Sequence, residues 1–236
     1  MSGGEPTIHP DIVRLLAHAK ALGLSVVMST HGRVRQRVID CAQFTDWIAI
    51  PVDGISNSML AQMRGRPWGL AEADSLVKDL RRTNPGIRIK LGTVATAVNH
   101  YEIPALASAL VESGIMIDTW KIYQYTARRQ FKHRASEFQM PDAAFRGLQD
   151  SVHRAIPTST FQVVFSSNAS RRGAYLFIYP DGTVAVPNVG EGMDDFVVGN
   201  LNAEGPEVLE RAKALDWDNH LRNYHGTYVG NVACLQ

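Results

Sequence analysis

Four short stretches of the chain gather small and polar side chains directly after apolar runs: STHG (29–32), PVDGIS (51–56), GTVATAVN (92–99) and YQYTARR (123–129). If those runs are parallel strands, the four stretches share one end of a sheet. Parallel α/β folds bind ligands there, because loops from several strands converge on that face. A fifth stretch, ARRQFKHR (127–134), brings Arg128, Arg129, Lys132, His133 and Arg134 close together. Such a run reads either as a solvated loop or as an anion site. His9, His18, His31 and His100 supply no H-x-x-x-H pair on one helix face, so no metal site is expected from them. The two cysteines, Cys41 and Cys234, make neither a CxxC pair nor a disulfide framework. No residue identifies itself as catalytic.

These loops need a framework. Apolar spacing predicts a helix from Asp11 to about Leu22, with Ile12, Leu15, Leu16, Ala19 and Leu22 on one face and Gly23 ending it. LSVVMST (24–30) then suits a buried strand. Helices over 34–44, 70–83 and 101–114 alternate with strands over 46–54, 87–95 and 117–125. Four strands alternating with helices argue for a parallel sheet or barrel with right-handed crossovers. Beyond about 140 the pattern changes to a helix over 141–155, a strand over 161–165 and a hairpin over 173–187 turned by Pro180-Asp181-Gly182. A helix near 205–215 and an aromatic tail follow.

Composition bounds the function without naming it. Apolar residues make up 45% and charged residues 20% of 236, an ordinary globular balance. A net charge of +1 gives no global case for a nucleic-acid polymer or an anionic membrane. No apolar run approaches the roughly 18–20 residues that span a bilayer. No secretory signal is visible, so a cytoplasmic location is expected.

The stretch SGGEPTIHPDIVRLL (2–16), followed by a strand and STHG, resembles a signature of the radical S-adenosylmethionine (SAM) superfamily. The resemblance implies a partial (β/α)6 TIM-like barrel in which GGEP ends the second strand. It implies that Gly3, Gly4, Glu5 and Pro6 meet the amino group of the SAM methionine. Glycines there let the backbone approach closely, and carbonyl edges with a carboxylate suit an ammonium. Ser29, Thr30, His31 and Gly32 would line the SAM pocket, with His31 where the family often has Asn. Asp53 and Ser56 would lie toward the ribose or carboxylate, and Thr93, Thr96 and Asn99 beside the adenosine. WKIYQ (120–124), the basic stretch and SSNASRRGAYLFIYPDG (166–182) are similar in layout to viperin-like members, which act on nucleoside triphosphates. That implies substrate contacts from Tyr123, Arg128, Arg129, Lys132 and Asn168, with a small molecule or nucleotide as substrate.

The resemblance also implies a 4Fe–4S cluster that cleaves SAM to a 5′-deoxyadenosyl radical. The family holds it with three cysteines of a CxxxCxxC loop upstream of GGEP, and Cys41 and Cys234 cannot replace them. The fold expected is therefore a partial barrel lacking its first strands over 1–140, with a small α+β extension over 141–236. Such a chain is expected to bind SAM without ligating the cluster alone, and to be inactive as a fragment. The alternative is a non-redox SAM- or nucleotide-binding protein, or a partner of an intact enzyme. Strand 24–30 would show an open edge, for which a homodimer is the expected cover.

Overall fold

The computed structural model describes residues 1, 4–65, 67–127, 133–171, 173–186, 195–211, 217–224 and 227–228. Gly3, Arg128, Arg129 and Lys132 lie outside the described residues. A 3-10 turn, Pro6–Ile8, leads into α1 (Ile12–Ala21), β1 (Val27–Ser29), α2 (Arg35–Ala42) and β2 (Trp47–Pro51). There follow α3 (Asn57–Arg64), α4 (Leu70–Thr83), β3 (Arg88–Ala95), α5 (Ile103–Ser113) and β4 (Thr119–Gln124). Then come α6 (Ala135–Phe138), α7 (Asp142–Ala155), β5 (Gln162–Ser166), α8 (Asn168–Arg171), β6 (Phe177–Ile178), β7 (Thr183–Val186) and β8 (Phe196–Asn200). Three short helices, α9 (Leu201–Glu204), α10 (Glu207–Arg211) and α11 (Trp217–Tyr224), end the series.

The main sheet is parallel, in the order β1-β2-β3-β4-β5. Met28 pairs with Ile48 and Ile48 with Ile89, so apolar residues stack across strands on one face. Ser29, Ala49 and Lys90 form the neighbouring row, which points the other way. The partial-barrel α/β fold read from the sequence is the fold found, and the βα alternation is what dictates it. Residues 162–166, read as a strand beyond the barrel, join the main sheet as its fifth strand.

The chain divides into two compact units of interleaved segments. The first holds 1–95, 99–122 and 147–163. Its core is apolar helix stripes on strands. On α4, Ala73, Leu76, Val77 and Leu80 are all buried, the i, i+3, i+4, i+7 spacing of one helix face. Each such leucine or isoleucine contributes about 1.5–3 kcal/mol relative to exposure. Trp120 is the largest fully buried side chain, and its indole N–H donates to Thr93 Oγ1 at 2.8 Å. The second unit holds 96–98, 123–146 and 164–236, and contains the antiparallel sheet β6-β7-β8. The Pro180-Asp181-Gly182 turn is present, with Gly182 N–H donating to Tyr179 O and Tyr179 N–H to Thr183 O.

Several elements escaped the sequence reading, α3, β8 and the helix α11 within the expected aromatic tail among them. α3 lies in SNSMLAQMRG, a stretch assigned to no element from the sequence, because only Met59 and Leu60 give it a buried face. Its stop and start signals were present: Ser56 caps it, accepting from Met59 N–H at 3.2 Å, and Gly65 ends it at φ 70°. β8 pairs with β7 across a register shift that its short FVVGN run does not announce. The strand over 24–30 is shorter than expected, and Leu24 is exposed. The main chain of Met1 pairs on its open side, accepting from Ser29 N–H at 3.0 Å while its amino group donates to Val27 O. No helix among the described residues is long and apolar enough to cross a membrane.

Candidate functional site

The first unit brings the Gly4–Pro6 turn against the end of β1. Gly4 takes φ 53°, a conformation that a side chain would strain. Pro6 sits at the first position of the 3-10 turn and is buried. The Glu5 carboxylate receives four donors: Thr7 N–H (3.1 Å), Thr7 Oγ1 (2.5 Å), Thr30 Oγ1 (2.7 Å) and His31 N–H (2.7 Å). Its side chain is only 8% exposed. Burial pushes its pKa up, yet hydrogen bonds from His31, Thr7 and Thr30 outweigh that and hold the carboxyl below its ordinary value. His31 Nδ1 lies 3.3 Å from Glu5 Oε2 and also faces Arg33 N–H at 3.0 Å. Glu5 is thus a tether that fastens the turn to the end of β1. The carbonyl edge of the turn, rather than the carboxylate, is what it leaves for a cationic ligand.

The loop after β1 is pinned from its other side. Gly32 takes φ 78°, and a Cβ there would lie 2.5 Å from Trp68 Cζ2 and 2.7 Å from Cη2. Gly32 N–H donates to Thr30 Oγ1 at 3.1 Å, which passes the constraint back to Glu5. Gly32→Ala is expected to cost about 1–2 kcal/mol from the backbone conformation and the displaced indole. Chemical denaturation compared with a Gly86→Ala control, where a Cβ would meet only Asn84 Oδ1 at an ordinary 3.5 Å, measures it. Equal midpoints would refute the account.

Asp53 and Asn99 form a second knot in this unit. Asp53, 1% exposed, accepts from Val94 N–H at 2.7 Å and from Arg64 Nε. Asn99 donates through Nδ2 to Asp53 O (2.7 Å) and Val94 O (2.8 Å). Asn99 therefore ties the ends of β2 and β3 together instead of capping the helix after it. Ser56 Oγ donates to Glu102 Oε1 at 2.6 Å, and Glu102 Oε2 accepts from Ile55 N–H at 2.8 Å. Ser29 closes β1 opposite Ala49.

Lys90 is a residue the sequence reading passed over. It is 4% exposed on β3, and desolvation by burial pushes its pKa down to about 8. The signal was a single lysine inside the apolar run IRIKLGTVA of a strand covered on both faces.

The second unit gathers a separate polar group. Asn168 Oδ1 accepts from Arg171 Nη2 and Thr126 Oγ1, its N–H donates to Gln124 Oε1 at 2.9 Å, and Nδ2 reaches Tyr125 O at 3.3 Å. The Arg171 guanidinium lies 5.9 Å above the Tyr123 ring. Burial pushes the Tyr123 phenol up, Tyr228 and Tyr175 add to that, and Arg171 opposes it. Arg171 and Tyr175 were not singled out from the sequence, because SSNASRRGAY carries no periodicity to rank its residues. Thr96 is buried in this unit, its hydroxyl accepting from Val98 N–H at 3.2 Å.

Comparison with known proteins follows the same lines. No family model matches the chain. It is 22% identical over 198 residues to an S-adenosylmethionine-dependent nucleotide dehydratase of Fibrobacter sp. (strain UWH6), covering 76% of this chain and 58% of that one. It is 24% identical over 245 residues to another of that name from Lacinutrix mariniflava, covering 98% and 47%. The chain thus spans about half the length of the curated relatives it matches. The crystal structure of Streptococcus suis SuiB bound to S-adenosylmethionine superposes with a TM-score of 0.66 at 16% identity, covering 92% of this chain and 55% of SuiB. With a GGEP turn fastened to a parallel strand end, the chain is similar in sequence to S-adenosylmethionine-dependent nucleotide dehydratases and in fold to SuiB.

Proposed function

We propose that this chain binds the methionine group of SAM at the Gly3–Pro6 turn and takes a nucleotide as substrate, as part of a SAM-dependent nucleotide dehydratase. The observation that carries the reading is the four-donor tether on Glu5, which fixes the turn's carbonyl edge beside β1. In this reading the turn accepts hydrogen bonds from the methionine ammonium, while Ser29, Thr30 and His31 line the same side. Asp53, Ser56, Thr96 and Asn99 belong to the ribose and adenosine side. Tyr123 and Asn168, with Arg128, Arg129 and Lys132, belong to the substrate side. The names of the relatives above support a nucleotide there.

In the superfamily a 4Fe–4S cluster cleaves SAM reductively to a 5′-deoxyadenosyl radical. The residues described here do not fit such a cluster. Cys41 is a lone buried thiol, pushed up to about 11 chiefly by burial, and no group of three His, Cys, Asp or Glu among the described residues could hold a metal ion. The reading therefore gives this chain SAM and nucleotide binding and assigns cluster ligation to none of its described residues. A second reading, a SAM- or nucleotide-binding protein without redox chemistry, fits the described residues as well. Iron and acid-labile sulfide after anaerobic reconstitution are expected to be near zero in both readings, and about four of each per chain would overturn the statement that this chain's described residues do not hold a cluster.

Calorimetric titration of the 236-residue chain with SAM tests the binding step. Saturable one-to-one binding is expected, weakened about tenfold by Glu5→Gln, whose amide places N–H groups against donors. Absence of SAM binding by the parent chain would sink the reading. A free buried thiol suits a reducing cytoplasm. Among the described residues the outer edge of β1 pairs with the main chain of Met1, and a homodimer would form edge to edge there. Light scattering should give twice the 26.0 kDa chain mass; a monomer over a wide concentration range would count against the dimer.

A further inference from the structure

Arg37, on α2, directs its guanidinium at main chain. Nη2 donates to His9 O at 2.6 Å and Pro10 O at 3.1 Å, and Nε donates to Thr7 O at 3.3 Å. These three carbonyls belong to the segment that leaves the Gly4–Pro6 turn. The 3-10 helix there is a single turn, so its last carbonyls find few helical donors. Pro10 interrupts the supply of N–H groups. The five donors of a guanidinium, spread in a rigid plane, can serve three such acceptors at once, whereas a lysine ammonium is a single point.

The placement of Arg37 in the chain matters as much as its contacts. α2 begins three residues after Gly32, directly behind the loop whose Thr30 and His31 hold Glu5. The stretch 30–37 therefore grips the turn at two points, upstream through the Glu5 carboxylate and downstream through the carbonyls of Thr7, His9 and Pro10. A turn gripped at one point could rotate about it; gripped at two, its carbonyl edge has a fixed direction.

We infer that Arg37 is a positioning residue for the methionine group of SAM, setting the direction of the carbonyls at the Gly4–Pro6 turn from outside the site. The inference rests on the SAM reading given above. It follows that loss of Arg37 weakens ligands carrying the amino-acid group and spares those that lack it.

The test is calorimetric titration of the full chain and its Arg37→Gln and Arg37→Lys variants with SAM, S-adenosylhomocysteine and 5′-methylthioadenosine. The third ligand has the adenosine but no amino-acid group. Both variants are expected to bind the first two about tenfold more weakly and methylthioadenosine within about twofold of the parent. Arg37→Lys keeps the charge and most of the stem, so it carries the comparison if Arg37→Gln does not fold. Equal losses for all three ligands, no loss for any, or failure of both variants to fold would each overturn the inference. A parent chain that binds no SAM removes the SAM reading itself. A parent that binds SAM while both variants match it removes only the role of Arg37.

Discussion

Relative to Lys90→Met, the parent chain is expected to gain stability as the pH rises from about 8 to 10.5. Lys90 has its pKa lowered from 10.5 to about 8 by burial. Below pH 8 the folded and unfolded chains both hold the proton, and the folded state carries the desolvation cost of a buried ammonium. As pH rises, the folded lysine loses its proton first, and the penalty is gone above 10.5. Over that window the unfolded state binds more protons, so stability climbs with pH, by roughly 2–4 kcal/mol for this group alone. Methionine keeps the apolar stem and removes the charge, so the variant is also expected to exceed the parent in stability near pH 7. Urea denaturation of both proteins across the window gives the two curves, and their difference isolates Lys90 from every other titrating group. Parallel curves would show that the lysine is solvated and that its burial is wrongly described.

Replacing Asp53 by Ala is expected to destabilise the chain by about 2–4 kcal/mol. The carboxylate is 1% exposed and serves two donors of different kinds. One is Val94 N–H, at the end of β3, a half-buried donor that loses its partner in the variant. The other is Arg64 at the end of α3, whose side chain is 35% exposed and can turn to solvent. The larger part of the loss therefore belongs to the backbone donor. Arg64→Ala leaves the reverse problem, a buried carboxylate without its cation. A double-mutant cycle should give a coupling of about 1–3 kcal/mol, because the second substitution removes what the first left stranded. Additive effects would show that Asp53 and Arg64 act independently.

How much of this was legible beforehand differs by residue. Helix 70–83 was read to its ends, because Leu76, Val77 and Leu80 repeat at helical spacing and Asn84-Pro85-Gly86 stops them. The glycines of the GGEP turn are read as conformationally permissive, and Gly4 there, like Gly32 of STHG, takes positive φ. What was not read from the sequence is that the Glu5 oxygens accept from Thr7, Thr30 and His31. That could not be seen along the chain, since Thr30 and His31 follow 25 and 26 residues later. α3 was lost because a helix with only two buried residues has almost no period to detect.

The sequence by itself determined the alternation of strands and helices, the parallel sheet that follows from it, and the GGEP and STHG turns, because period and glycine conformation act over a few residues. Only the tertiary structure decided which polar groups face one another. It turned Glu5, Asp53 and Asn99 into tethers between strand ends, placed Arg37 on the carbonyls of Thr7, His9 and Pro10, and buried Lys90. The reason is physical: a buried polar side chain must find its partners wherever the fold brings them, and those partners lie tens of residues away in sequence.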